Sequence, residues 1–194
     1  MNLAQKSYKN QTIQNLNLVE NTFLEKVFEQ VIFENCVFQE SKFNYCQFLD
    51  CKFVDCNLSL IKISGCNFVD CEFLDCKMIG IKWAKGKSQL WHSLSFENCN
   101  LDYSVFDSIS FKKSKIKKCS AKDCFFQNID LIQCDCQETD FAKTAFQNTN
   151  FSGADFRRAI NYFIDIFDKP KIKGCKFSAA EVALLLKPLQ IEIE

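Results

Sequence analysis

Large apolar residues recur along this chain at every fifth position. The register runs from Ile13 through Leu18, Phe23, Phe28, Phe33, Phe38, Phe43, Phe48, Phe53, Leu58, Ile63, Phe68, Phe73 and Met78 to Trp83 without a miss. It resumes at Phe96 and continues to Phe156, with Ala121 and Cys136 as its weakest centres. Seventeen of the 21 phenylalanines lie in this register, so the period is built into the chain rather than scattered on it. A period of five matches neither the 3.6 of a helix nor the 2 of a strand. The chain must instead turn through about a right angle every five residues, so that four sides close a coil. Coils then stack as neighbouring strands do, at about 4.8 Å. The expected architecture is an all-β solenoid in which each repeat buries its apolar face only against its neighbours.

The residue two before each centre also faces inward, where there is room only for a small side chain. Eleven of the 13 cysteines fall at such positions, among them Cys46, Cys51, Cys66 and Cys71. Ser, Thr and Ala take the same place elsewhere, as at Ser41, Ser104, Thr139, Thr144 and Ala154. Cysteine here reads as a small buried hydrophobe. Zinc sites favour close pairs such as Cys-x2-Cys, whereas the spacing here is x4. Stacked positions fall within disulfide range, but parallel neighbours aim their Cβ atoms the same way, and an odd number of cysteines fits a closed framework poorly. No metal and no cofactor are expected. The structural core is expected around Phe48, Phe53, Phe68 and Phe73 with those four cysteines. Cys134 and Cys136 read as two inward positions of one repeat.

The stretch Thr149-Asn150-Phe151-Ser152-Gly153-Ala154-Asp155-Phe156 follows the order small, polar, Leu or Phe, then two variable residues. In this the sequence resembles the pentapeptide-repeat family, over Ile13 to Phe156. The resemblance implies a right-handed quadrilateral β-helix of about seven coils, over residues 1–177, and a C-terminal segment, 178–194.

The register breaks between Trp83 and Phe96, where eight residues read as inserted. An insertion in a solenoid bulges outward, and such loops often carry function. The segment 84–95 therefore supplies candidate contacts in Lys87, Gln89, Leu90, Trp91 and His92, with Trp91 favoured because aromatic residues anchor interfaces. At the other end, Ser178-Ala179-Ala180-Glu181 has the form of a capping box. Val182, Leu185, Leu186 and Leu189 follow at helical spacing, Pro188 marks a helix end, and Ile191 and Ile193 suit a short strand. This helix and strand are expected to cap the open solenoid end and to form a homodimer interface.

Composition narrows the function. Twenty-four basic residues balance 24 acidic ones, so no global charge draws the chain to nucleic acid or to a membrane. The start, MNLAQKSYKNQTIQ, lacks the apolar core of a signal peptide, and no apolar run approaches the roughly 20 residues of a membrane span. A reducing, cytoplasmic location is expected, where thiols stay free. Residues 20 apart should stack. Asp50 then lies over Asp70 and Asp55 over Asp75, giving two short acidic columns on adjacent faces, while Lys42, Lys62 and Lys82 form a third, basic column. The densest basic run, Lys112 to Lys118, is compensated by the next coil, with Lys115 over Asp135 and Lys118 over Glu138. It has no interleaved aromatics for stacking bases, so direct nucleic-acid binding is not expected.

No nucleophile sits beside a base, there is one histidine, and no phosphate loop is present. The chain reads as non-enzymatic, acting through its surface. Repeats, an interrupting loop and a helix with an Ile-rich tail resemble the Qnr- and MfpA-like branch of the family. That resemblance implies binding to DNA gyrase or topoisomerase IV and protection from quinolones or topoisomerase poisons. It also implies partial mimicry of DNA, with contact through the loop and Asp50, Asp55, Asp70 and Asp75. The alternative is an adaptor rod for an unrelated protein partner.

Overall fold

The computed structural model describes residues 3–84, 91–92 and 94–189, with the side chains of 91–92 and 187–189 left aside. The chain winds as a β-solenoid of about seven turns. Every strand pairing is parallel, and partners lie one coil apart: Thr22 pairs with Lys42 and Lys42 with Lys62, while Ile32, Lys52 and Glu72 follow one another on another side. The longest pairing joins Ser7–Gln14 to Val27–Glu34 and closes the first coil onto the second.

The corner responsible for the five-residue period is visible in the backbone. The residue two after each centre adopts the left-handed conformation, as at Asp50 (φ 50°), Asp55 (φ 55°), Asp70 (φ 53°) and Asp75 (φ 55°). This conformation is costly for most L-residues, and Asn, Asp and Gly tolerate it best. It is held by bonds from corner amides to the coil above: Asp50 N–H donates to the Val69 carbonyl and Asp55 N–H to that of Leu74, both at 3.0 Å. Gly65, Gly80, Gly153 and Gly174 occupy four more corners.

Inside, the centres stack in files. Phe28, Phe48 and Phe68 lie with ring centroids 5.0 and 4.6 Å apart, nearly parallel. Phe33, Phe53, Phe73 and Phe96 continue at 4.7, 4.9 and 5.1 Å. Burying each such ring is worth about 1.5–3 kcal/mol, and the aromatic pairing adds about 0.5–1.5 kcal/mol. The expected core residues Phe48, Phe53, Phe68, Phe73, Cys46, Cys51, Cys66 and Cys71 are all buried, as are the short centres Ala121 and Cys136. The register also reaches further back than Ile13: Leu3 and Tyr8 continue it, and both are buried. Tyr8 stacks on Phe28 at 5.3 Å.

The thirteen cysteines are free thiols, twelve of them buried. Most of their sulfurs point at backbone oxygens of the coil below, as Cys51 Sγ does to the Phe28 carbonyl at 3.4 Å. Burial pushes the Cys71 thiol far up and the Cys124 thiol to about 12. Serine and threonine at equivalent positions bond more fully. Thr139 Oγ1 donates to the Ile116 carbonyl at 2.7 Å and accepts from the Cys119 N–H at 3.1 Å.

Two expectations need correction. The break after Trp83 inserts three residues, not eight. Trp91 pairs with Phe68, and Ser95, Phe96 and Glu97 pair with Glu72, Phe73 and Leu74, so the coil repeat there is 23 instead of 20. The C-terminal segment Val182–Leu189 is a 3-10 helix, not an α-helix. Its capping box does not form. Ser178 Oγ instead accepts the Arg158 N–H at 2.8 Å, and the buried Glu181 Oε2 has no hydrogen-bond partner. Pro188 lies within this element and lacks an N–H to donate, which works against an α-helical ladder.

A second slip, of one residue, sits near the end. Asp140 still pairs with Ile160, but Asn150 pairs with Lys171 and Asp155 with Lys176. The displaced Tyr162 is buried, packs against Phe156 and Phe177, and donates its hydroxyl to the Glu181 carbonyl at 2.8 Å. The sequence reading passed over this residue because it lies one place out of register.

Candidate protein-interaction surface

Side chains that could meet a partner lie outside the files of packed centres. The acidic residues Asp50, Asp55, Asp70 and Asp75 all occupy corners, where the backbone conformation alone favours aspartate. Turn chemistry thus accounts for their spacing without a ligand. Asp50 and Asp70 line one open depression, together with Lys52 and Glu72. The Lys52 ammonium sits 3.8 Å from the Glu72 carboxylate, so this patch is partly neutralised.

Trp91 and His92 form a short strand beside Phe68 and Val69, so their backbone belongs to the wall of the rod. The remaining loop candidates, Lys87, Gln89 and Leu90, lie outside the described residues. At the C-terminal end, Leu184 and Leu185 pack against the core, while Val182 and Leu186 are exposed. Phe163 and Phe167 are also exposed, and the short turn carrying Phe167 lies against the Val182–Leu189 element. Leu189 closes the 3-10 helix, and Ile191 and Ile193 lie outside the described residues.

The basic run is compensated, but through neighbours other than those the sequence suggested. Lys115 reaches Glu97 in the coil below at 3.3 Å, and Lys117 reaches Asp135 in the coil above at 3.1 Å. Lys115 and Asp135 do pair as backbone neighbours. Exposed pairs of this kind contribute little to stability, but they neutralise two of the run's five lysines.

Among the described residues no group of three or more His, Cys, Asp or Glu side chains converges as a metal site. Among the described residues no helix is long and apolar enough to cross a membrane. What the geometry presents is a rod with a filled interior and shallow open depressions, a shape suited to binding another macromolecule along its sides or end.

A family profile described as "Pentapeptide repeat region" matches residues 26–106, and one described as "Pentapeptide repeats (8 copies)" matches residues 124–160. The chain belongs to the pentapeptide-repeat proteins. Its structure is similar to that of QnrB1, described as a plasmid-mediated fluoroquinolone resistance protein. The trypsin-treated form matches at a TM-score of 0.63 and 19% identity, covering 95% of this chain and 100% of the other. The full-length form matches at a TM-score of 0.55 and 20% identity, covering 93% and 100%. HetL, a pentapeptide repeat protein involved in heterocyst differentiation regulation from the cyanobacterium Nostoc, matches at 0.45 and 10% identity, covering 89% and 87%. No curated protein sequence matches significantly.

Proposed function

We propose that this protein is a non-enzymatic, right-handed quadrilateral rod that binds DNA gyrase or topoisomerase IV and protects it from quinolones or other poisons. The observation that carries this reading is a whole-length likeness: the solenoid with its C-terminal segment spans all of a QnrB1 chain described as conferring fluoroquinolone resistance. At this identity the likeness is one of fold, so the partner is an inference. The exposed Val182, Leu186, Phe163 and Phe167 support a homodimer joined through the C-terminal ends. The contact surface would combine the loop leading to Trp91 and His92 with the acidic corners Asp50, Asp55, Asp70 and Asp75. Thirteen free thiols suit a cytoplasmic location.

The test is gyrase supercoiling in the presence of a fluoroquinolone, with this protein titrated in. A second form lacks three of residues 85–90, restoring a 20-residue coil while leaving the Trp91–His92 strand in place. Rescue that depends on the three residues supports the reading. No rescue by folded, dimeric protein overturns it for the enzyme tested. A specific observation favours the adaptor alternative: the net charge is zero, whereas duplex DNA presents a charge about every 1.7 Å along its axis. A rod that does not reproduce that field fits a partner recognised by other means.

A further inference from the structure

One face of the rod repeats a feature that the packing does not require. Lys42, Lys62 and Lys82 stand in file on three successive coils, with Lys42 and Lys62 paired directly across the ladder. At about 5 Å in water such like charges repel by about 0.8 kcal/mol before screening. Elsewhere stacked coils set lysine against carboxylate, as Lys9 with Glu29 at 2.7 Å and Lys122 with Asp140 at 3.2 Å. Among the described residues none of the three ammoniums in this file has an ion-pair partner. All three line one open groove of about 1120 Å³.

The corners beside this groove are also unusual. Where most corners hold Asp, Asn, Glu, Gln or Lys, Tyr45 (φ 55°), Leu60 (φ 60°) and Tyr103 (φ 60°) place large apolar side chains in the left-handed conformation that the corners share. They are 64%, 47% and 65% exposed, so burial does not account for them. Tyr45 lies over Gly65 and Leu60 over Gly80: a Cβ on either glycine would come within 2.5 Å of the tyrosine ring or 2.7 Å of the leucine methyl. The two glycines thereby leave room for side chains to lie flat along both edges of the groove. Beyond Lys82 the same file continues through Val105 and Phe125, so charge gives way to an apolar stretch along the rod.

We propose that this face is a docking surface for an extended acidic segment of a protein partner. Its carboxylates would meet Lys42, Lys62 and Lys82, and its apolar side chains would pack on Leu60, Tyr45 and the Val105 end. Charge complementarity selects the occupant. Glu20 and Glu40 line the same groove and confine anionic contacts to the lysine file, and a nucleic acid fits less well because that file ends after three residues. A groove that tracks a phosphate backbone needs its cations to continue. The site does not depend on the topoisomerase reading and is tested without that enzyme.

The probe is a fluorescein-labelled acidic peptide in which Glu alternates with Ser, Leu and Phe, followed by anisotropy against the full chain. Its Lys-for-Glu counterpart and a labelled oligo-dT serve as controls. Saturable binding of the acidic peptide alone is expected. It should weaken about fivefold with each of K42Q, K62Q and K82Q, and it should weaken with added salt. Y45A with L60A should weaken it without changing the salt dependence. Removing like charges does not threaten the fold, and an unchanged thermal unfolding midpoint for K62Q separates lost binding from lost structure. No saturable binding up to about 1 mM, equal binding by the triple lysine variant, or tighter binding of oligo-dT would each overturn the proposal.

Discussion

The coils from Tyr8 to Ala84 and those from Leu94 to Phe177 share one plan but close their sides differently. In the first half most sides are strands, such as Gln47–Leu49 and Lys52–Val54, and one side per coil is a turn. In the second half most sides are turns, closed by bonds from the fourth residue of each turn back to the first: Ser114 N–H to Phe111, Cys134 N–H to Leu131, Thr144 N–H to Phe141. The residue before the centre separates the two kinds. At turn sides it is typically Asn, Asp or Ser, whose side chain accepts the N–H two residues on. Asp130 accepts from Ile132 at 3.0 Å, Asp140 from Ala142 at 3.0 Å and Asn150 from Ser152 at 3.1 Å. Strand sides mostly have residues such as Lys52, Glu72 or Val105 there. Short polar side chains stabilise a local turn in preference to the ladder, so this side chain biases the choice between two geometries, although Val37 and Lys77 precede turns and Asn67 and Ser95 lie in strands.

The small inward positions follow the same division. Cysteine fills them in the strand-rich half, and hydroxyls appear more often where turns leave an amide needing an acceptor. Cys119 N–H finds Thr139 Oγ1 at 3.1 Å, and Cys124 N–H finds Thr144 Oγ1 at 3.3 Å. The contrast teaches that the first half closes its sides mainly by strand ladders and the second by turns and side-chain oxygens, while stacked rings run through both.

The largest expected effect probes the rings. Phe48→Ala removes a ring stacked on both sides and should cost about 3–5 kcal/mol, read as a shift in the urea midpoint. A cost below about 1 kcal/mol would show that the files of rings do not carry the first half. Next comes the polar closure. Thr139→Val leaves an amide and a carbonyl without partners and should cost about 2 kcal/mol, whereas Cys51→Ala should cost about 1 kcal/mol. Equal costs would erase the distinction between the halves. Asp130→Ala removes one turn acceptor and should cost about 1 kcal/mol, with amide exchange accelerated at Ile132 and little changed at Val54.

The smallest effect at neutral pH is the thiol titration. Burial raises the Cys124 pKa from 9.0 to about 12, so its contribution to stability is complete below 9 and is lost as pH climbs toward 12. The unfolding midpoint should therefore fall across that window, and Cys124→Ser should make the fall shallower. A flat profile would mean that this thiol ionises equally well in the folded state.

Much of this was legible in the chain. A period of five, seventeen phenylalanines in register and small residues two places earlier specify a stacked coil, because only a corner every five residues buries all of them. The same logic placed the core cysteines. It did not locate the corner residue itself, since Asp, Asn, Tyr and Leu at that position share no chemistry beyond tolerating a left-handed backbone held by the next coil. Nor did it size the interruption after Trp83. Counting between recognisable centres treats Trp91 as part of a loop, and only pairing with Phe68 returns it to the wall.

The C-terminal segment shows the other limit. Ser178, Glu181 and the leucine spacing read locally as an α-helix start, yet Arg158 takes the serine oxygen and Tyr162 takes the Glu181 carbonyl. The repeat and its filled interior follow from the sequence alone, because the period is local and recurs many times. Where the register slips and how the last element winds were decided in the tertiary structure. Each depends on a hydrogen-bond partner a full coil away in sequence, and that partner becomes a neighbour only when the coils stack.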